Sequence, residues 1–152
     1  MTTRPFIVQP QSYPPALDVL GAQITVLASN SATRSHEVTP QQGDEGVGPP
    51  PHCHPWDETF FVTRGLVTFE GAGPTPQARE GTLVHVPGGT MHAFRFGAGG
   101  GAMVEIAGAG GAATEMFTDV ATQFPSGPPA VPDVPRLIGV LQRHGVAVAA
   151  PQ

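Results

Sequence analysis

Short runs in which apolar and polar residues alternate, separated by glycine- and proline-rich turns, occupy most of the chain. A two-residue period is typical of strands with one buried face. The pattern predicts strands at residues 6–8, 23–29, 35–39, 59–63, 66–70, 83–86, 93–96 and 102–107. Prolines on both sides make 6–8 an edge strand, and 35–39 has the weakest pattern. Turns are expected at 30–31, 64–65, 71–76, 87–89 and 97–101.

One segment, residues 133–144, has the period of a helix. Asp133 is suited to the N-cap, Pro135 to the first turn and Gly145 to the end of the helix. Its apolar face, expected to pack on the rest of the protein, comprises Val134, Leu137, Ile138 and Leu141. The preceding residues 108–132 are rich in Gly, Pro and Ala and predict irregular structure. The fold class is therefore all-β with a C-terminal helix, either a sandwich or a barrel.

The composition favours a small, turn-rich globular domain. The chain has 152 residues, 39% of them hydrophobic and 12% charged, with 20 Gly and 18 Pro. A length near 150 residues predicts a single domain spanning 1–152 with a substantial core.

Charge and cysteine content exclude several functions. The net charge is −5 and all seven basic residues are scattered arginines, which excludes a Schiff-base lysine and argues against nucleic acid as a partner. No apolar run approaches 18 residues, so no membrane association is expected. A single cysteine, Cys53, and an N-terminus without an apolar leader segment predict a cytoplasmic protein.

Three histidines and one glutamate have the spacing of a metal site. His52 and His54 are two residues apart in an extended segment, so both imidazoles lie on the same face. Glu58 follows after a short corner, and His92 comes just after the turn at 87–90. This donor set suits one divalent transition metal, either Fe, Mn, Ni, Cu or Zn. In octahedral geometry it leaves two positions open for water, substrate or dioxygen.

At these residues the sequence resembles the cupin family. The first cupin motif is matched at every fixed position by GVGPPPHCHPWDETFFVTRG (46–65). The second is matched by GTLVHVPGGTMHAFRF (81–96), except that Phe96 replaces the usual Asn. The resemblance implies a jelly-roll (double-stranded β-helix) barrel with the metal inside. The core motifs span 46–96.

The motifs, with the closing helix, are most similar to small relatives of quercetin dioxygenase. That resemblance implies a dioxygenase acting on a small aromatic or enolic substrate, and a homodimer. Glu58 is then the catalytic candidate, either staying a metal ligand or briefly accepting the substrate proton. The expected walls of an apolar substrate pocket are the large side chains nearest the ligands in sequence, namely Trp56, Phe60, Met91 and Phe94.

Other functions remain open because the fold alone does not determine the chemistry. One alternative is a non-redox metal-dependent isomerase or polyketide-type cyclase, in which the metal is only a Lewis acid. Another is a non-catalytic cupin that binds a small ligand. A metal-free sugar epimerase has no need of this ligand set.

Alternation also predicts which nearby residues point away from the metal. Cys53 lies between two ligands and is expected to face the opposite side as a small apolar residue. Asp57 and Arg95 are likewise expected to face away from the site. The parity of His85 is ambiguous, so it is either a pocket residue or an ordinary packing or surface residue.

Overall fold

Antiparallel strands make up most of the regular structure in residues 3–74, 77–125 and 133–150, the parts of the chain that the computed structural model describes. In chain order they are β1 (Leu17–Val19), β2 (Ala22–Ile24), β3 (Glu37–Gly43), β4 (His52–Cys53), β5 (Glu58–Glu70), β6 (Gln77–Arg79), β7 (Leu83–Val86), β8 (Ala93–Ala107) and β9 (Ala147–Val148). The helices are α1 (Asn30–Thr33), α2 (Ala113–Gln123) and α3 (Val134–Arg143), with a short 3-10 helix at Pro10–Ser12.

The long strands β5 and β8 lie side by side at the centre of the main sheet. The order of the sheet is β1-β2-β3-β8-β5-β6, β7 pairs with β5, and β4 pairs separately with β9. One apolar cluster is formed by inward-facing side chains of β5, β6, β7 and β8, and a second packs between the sheet and α2. This arrangement confirms the predicted all-β jelly-roll barrel with a short C-terminal helix.

Two of the predicted turns are wrong, because the chain bends there without reversing. Strand β5 includes the predicted turn 64–65, and β8 includes the predicted turn 97–101. The β5–β8 register shifts on both sides of Gly65, which has a φ of 72°. A Cβ on Gly65 would lie 2.4 Å from the carbonyl oxygen of Gly100. Glycine is needed here for a bend in which two long strands approach closely.

Helix α2 corrects the prediction of irregular structure for residues 108–132. It buries Phe117 and Val120 against the sheet. Its N-cap, Ala112, makes no side-chain capping bond, so the usual start signal is missing from the sequence. Tertiary contacts stabilise this helix, including a cap from β3, because the buried Glu37 carboxylate accepts a hydrogen bond from the Thr114 N–H in the first turn at 3.0 Å. The end of the segment, 126–132, lies outside the described residues.

The first predicted strand is absent, and the second is only partly correct. Residues 6–8 form no strand, and Ile7 is 86% exposed. Of 23–29, only the beginning belongs to a strand, and the chain then follows β3 through an isolated bridge from Ala28 to Val38. The turn expected at 30–31 is the start of α1.

The C-terminal helix matches the prediction closely. Asp133 caps α3 by accepting a hydrogen bond from the Arg136 N–H, and Gly145 follows the helix with a φ of 80°. The buried face differs in detail, because Val134 is 52% exposed whereas Val140 is fully buried. Within the described ranges, no helix has both the length and the apolar character to cross a membrane.

Candidate metal centre

Two backbone hydrogen bonds hold His52 and His92 next to each other. The N–H of each residue donates to the carbonyl of the other at 2.9 Å, forming an antiparallel bridge between β4 and the residue before β8. Residues that face each other in such a bridge project their side chains to the same side. His54 follows two residues after His52, and Glu58 is the first residue of β5. Three short segments thus supply the four side chains.

The predicted ligand set comes together as one cluster. One ligand atom from each of His52, His54, Glu58 and His92 lies within 4.8 Å of the other three. His54, Glu58 and His92 are buried, and His52 is partly exposed. These four residues can hold one metal ion.

Backbone carbonyls fix the tautomer of each imidazole. Nδ1 of His52 lies 2.8 Å from the Pro50 carbonyl, Nδ1 of His54 lies 2.9 Å from that of Trp56, and Nδ1 of His92 lies 2.8 Å from that of Thr90. A carbonyl only accepts, so each Nδ1 must carry the hydrogen. Each neutral ring therefore has its lone pair on Nε2, the nitrogen available to a metal.

These lone pairs are directed at a carboxylate, which is the observation that fits a cation. Nε2 of His54 and of His92 lie 3.1 and 3.0 Å from the same oxygen of Glu58. With Nδ1 protonated, the buried Nε2 of His54 finds no hydrogen-bond donor. Lone pairs so close to a carboxylate repel unless a proton or a metal ion lies between them. The four residues therefore fit a divalent transition metal.

The ionisation of Glu58 and His52 favours the ligand forms at neutral pH. Burial opposes the charge on Glu58, but the adjacent imidazoles of His54 and His92 outweigh burial and lower the pKa of Glu58 to about 2. Burial, reinforced by the charge of His92, lowers the pKa of His52 to about 4. Glu58 is therefore ionised and His52 neutral.

His92 behaves differently in the absence of a metal. Burial alone would lower its pKa, but the hydrogen bonds to Glu58 and to the Thr90 carbonyl raise it above the ordinary value. In the metal-free protein His92 therefore binds a proton more readily than an ordinary histidine, and this proton lies between His92 and Glu58. Binding of a metal must displace that proton.

A mainly apolar cavity opens onto this cluster. Its volume is about 120 Å³, and it reaches His52, His54 and Glu58. The sheet supplies one wall through β2, β3, β5 and β8, and apolar side chains of α2 and α3 supply another. The site therefore combines a polar metal centre with a hydrophobic surround.

Two of the four predicted pocket residues line this cavity. Phe60 and Phe94 are both among its walls. Trp56 is buried but stacks on the His54 ring, with centroids 4.2 Å apart and planes 7° apart, and thus orients a ligand. Met91 is 44% exposed and does not line the cavity. Proximity to the ligands in sequence was therefore an incomplete guide to the pocket.

The sequence analysis missed two polar residues in the cavity wall, Gln41 and Glu105. Each is 3% exposed, and the Gln41 side-chain N–H donates to Oε2 of Glu105. Burial, reinforced by the negative charge of Glu58, raises the pKa of Glu105 well above its usual range. A signal was present, because Glu105 has the same parity as the buried Met103 and Ala107. A charged residue at an apolar position of a strand is worth noting.

His85 and Cys53 lie away from the cavity. His85 is exposed, and its Nδ1 lies 2.9 Å from the Thr59 hydroxyl on the adjacent strand. Cys53 is half-buried and does not belong to the ligand cluster. His85 is thus a surface residue and not a pocket residue.

Asp57 and Arg95 stabilise loops around the centre. Asp57 accepts a hydrogen bond from the Gly88 N–H at 2.7 Å, which ties the turn before His92 to the corner before β5. Arg95 donates to the carbonyl of Pro49, in the proline segment that leads to His52. Neither residue lines the cavity.

Comparison with known proteins agrees with this fold. Residues 37–106, a little under half of the chain, match the family model described as a cupin domain. That match includes all four ligand residues. No curated protein matches the chain.

Solved structures show the same fold at low sequence identity. KdgF from a Halomonas species is 17% identical with a TM-score of 0.64, covering 73% of this chain and 99% of its own. An RmlC-like cupin from Shewanella frigidimarina is 14% identical with the same TM-score, covering 75% and 99%. The polyketide cyclase RemF from Streptomyces resistomycificus is 18% identical with a TM-score of 0.55, covering 72% and 80%. The likeness to the quercetin dioxygenase group stays a prediction.

Proposed function

We propose that this protein is a metal-dependent, dioxygenase-like enzyme for a small aromatic or enolic substrate. The observation that carries the proposal is a cluster of three histidines and one glutamate facing an apolar cavity. Few charged groups line that cavity, so a charged sugar or nucleotide finds few partners there. A flat hydrophobic ligand with an acidic hydroxyl finds both apolar walls and a polar centre.

His52, His54, Glu58 and His92 would hold the metal. When bound, the metal supplies Lewis acidity, and Fe, Mn, Ni or Cu also supplies a redox couple for chemistry with dioxygen. The carbonyl contacts at each Nδ1 keep the three rings in place during turnover. Glu58 is ionised, so its carboxylate can stay a metal ligand or briefly accept the hydroxyl proton of a substrate that the metal has made more acidic.

The cavity limits the size of the substrate. Its volume of about 120 Å³ is similar to the roughly 150 Å³ of a cavity that binds one benzene molecule. Phe60 and Phe94 line this space and would pack against the ring and exclude water from it. We therefore favour a single-ring phenol or a small enol.

A non-redox isomerase or cyclase is the second candidate. The observation that favours it is the buried, ionised Glu58, which is sufficient for proton transfer without any change in the metal's oxidation state. The cyclase RemF shares the fold with this chain, but a likeness at 18% identity does not transfer its activity.

The test is metal analysis of freshly purified protein followed by turnover assays with phenols, flavonols and diketones. We expect about one transition metal per chain and dioxygen uptake coupled to the loss of a substrate. Substrate conversion that is unchanged under anaerobic conditions would favour the second candidate. Absence of any turnover by the metal-loaded protein would leave a binding function. His85→Ala is the control, because it removes an imidazole outside the cluster.

A further inference from the structure

The wall of the cavity contains a buried carboxyl group that the proposed chemistry does not use. Glu105 is 3% exposed and lines the cavity together with His52 and Glu58. One of its oxygens, Oε2, accepts a hydrogen bond from Gln41. The other, Oε1, is fully buried and makes no defined hydrogen bond to a described residue, while the nearby Glu58 carboxyl group interacts with Glu105. A buried polar atom without a partner costs about 1–3 kcal/mol, so it needs an explanation.

Strand pairing fixes where this carboxyl group lies. In the β5–β8 ladder Glu105 faces Phe60, and Glu58 faces Ala107. Glu58 and Glu105 are thus diagonal neighbours on adjacent strands, both with inward side chains. Diagonal neighbours lie about 7–8 Å apart at the backbone, within reach of long side chains. Gln41 holds Glu105 from the other side, since β3 pairs with β8.

We propose that Gln41 and Glu105 form a second polar subsite in the cavity. It binds a hydroxyl group of the ligand, next to the ligand oxygen that faces the metal centre. The Oε1 atom of Glu105 is the contact. A hydroxyl fits best because it both donates and accepts, and it can therefore bond a carboxyl group in either protonation state. This inference rests on the proposed function and narrows the substrate to a small ring or enol with two neighbouring oxygen functions.

The subsite would determine which ligands bind, by selecting those that carry the second hydroxyl group. A site that hydrogen-bonds a hydroxyl group discriminates strongly against the analogue that lacks it, because a buried polar atom is then left unpaired. The rest of the cavity is mainly apolar and gives little discrimination between such analogues. Glu105 is therefore a specificity-determining residue, and Gln41 is a positioning residue that orients it.

Binding of phenol, 1,2-dihydroxybenzene and 1,3-dihydroxybenzene to the zinc-loaded protein tests the inference. Zinc is redox-inert, so the readout is affinity by calorimetry and does not depend on turnover. We expect Glu105→Leu to lower the preference for the tighter dihydroxybenzene over phenol at least tenfold, with both affinities compared at equal zinc content. Glu105→Gln keeps hydrogen-bonding capacity and should retain the preference within about threefold. Glu70→Gln, at an exposed position at the end of β5, is the matched control.

Three outcomes separate the inference from the proposed function. An unchanged preference in Glu105→Leu overturns the subsite and leaves the proposed function intact. If neither phenol nor a dihydroxybenzene binds the wild-type protein, the proposed function fails and the subsite fails with it. If Glu105→Leu does not fold, Gln41→Met decides: a reduced preference supports the subsite, and an unchanged preference overturns it.

Discussion

At the scale of single residues, the metal centre depends on contacts that come from outside its four ligands. The Nδ1 of each histidine faces a backbone carbonyl, and Trp56 stacks on the ring of His54. Such contacts orient a ligand before the metal binds and so reduce the entropy that binding must overcome. These contacts only orient the ligands, so removing a ligand should weaken metal binding much more than removing a neighbouring side chain.

His92→Ala should bind zinc at least tenfold more weakly than the wild-type protein, because it removes a buried ligand from the cluster. The measurement is competition against a chelator of known affinity. His85→Ala and Cys53→Ala should bind zinc normally, since neither side chain belongs to the cluster. Normal zinc binding by a double substitution of His52 and His54 would contradict the assignment.

The low pKa of His52 predicts how the stability of the metal-free protein depends on pH. Its pKa is about 4 in the folded protein and 6.5 in the unfolded chain. As the pH falls from 6.5 to 4, the unfolded chain binds a proton that the folded protein does not, so the free energy of unfolding decreases. A pKa difference of about 2.5 corresponds to at most about 3 kcal/mol.

Chemical denaturation in a chelator at pH 7 and at pH 4 measures this effect. His52→Asn should lose less stability between the two values than the wild-type protein loses. His85→Asn, which removes an exposed imidazole, should behave as the wild type does. An equal loss in His52→Asn and in the wild type would show that other groups cause the pH dependence.

How much of the site was predictable differs from residue to residue. The four ligands could be predicted because their residue types and spacing are local properties of two short segments of sequence. For Glu105 the sequence offers only its parity with buried positions of β8, because its importance arises from its contact with Gln41 on β3 and from its diagonal position to Glu58. Trp56 was correctly placed near the site, but the sequence gives no way to distinguish stacking on His54 from lining the cavity.

At the scale of secondary structure elements, the same glycines that misled the sequence analysis give the barrel its shape. Both long strands bend where Gly65 of β5 meets Gly100 of β8. A local pattern cannot distinguish a glycine that reverses the chain from one that bends a continuous strand, because both have positive φ. The strand at 83–86 was predicted with its correct bounds since clear turn signals flank it on both sides.

Gly65→Ala should destabilise the fold by about 3 kcal/mol or more, and Gly99→Ala by about 1 kcal/mol. Both glycines have positive φ, 72° and 77°, so both substitutions carry the conformational cost. Only at Gly65 would the new methyl group also collide with backbone, 2.4 Å from the Gly100 oxygen. Urea denaturation of the two variants measures the difference. Equal destabilisation would show that the close approach of β5 and β8 is not a constraint.

At the scale of the whole molecule, the ligands come from segments that are far apart in the chain. His52 and His54 belong to the β4 segment, Glu58 begins β5, and His92 immediately precedes β8. Among the described residues, β4 pairs only with the short β9 and through the bridge to His92, so a bound metal would fix β4 against the main sheet. The site should stabilise the fold as well as carry the chemistry. The homodimer stays a prediction, for which sedimentation equilibrium is the measurement.

Metal removal should lower the melting temperature of the wild-type protein. A ligand that binds only the folded state stabilises it by about 2.7 kcal/mol when its free concentration is 100 times its dissociation constant. For a chain of this size that corresponds to roughly 5–10 °C. Calorimetry with zinc in such an excess and with a chelator measures the shift. Glu58→Gln and His92→Ala, which lack a ligand, should keep at most about half of this shift, because tenfold weaker binding leaves about 1.4 kcal/mol at the same zinc concentration, whereas Cys53→Ala should keep the full shift. An equal shift in Glu58→Gln and in the wild type would mean that zinc stabilises the protein from somewhere else.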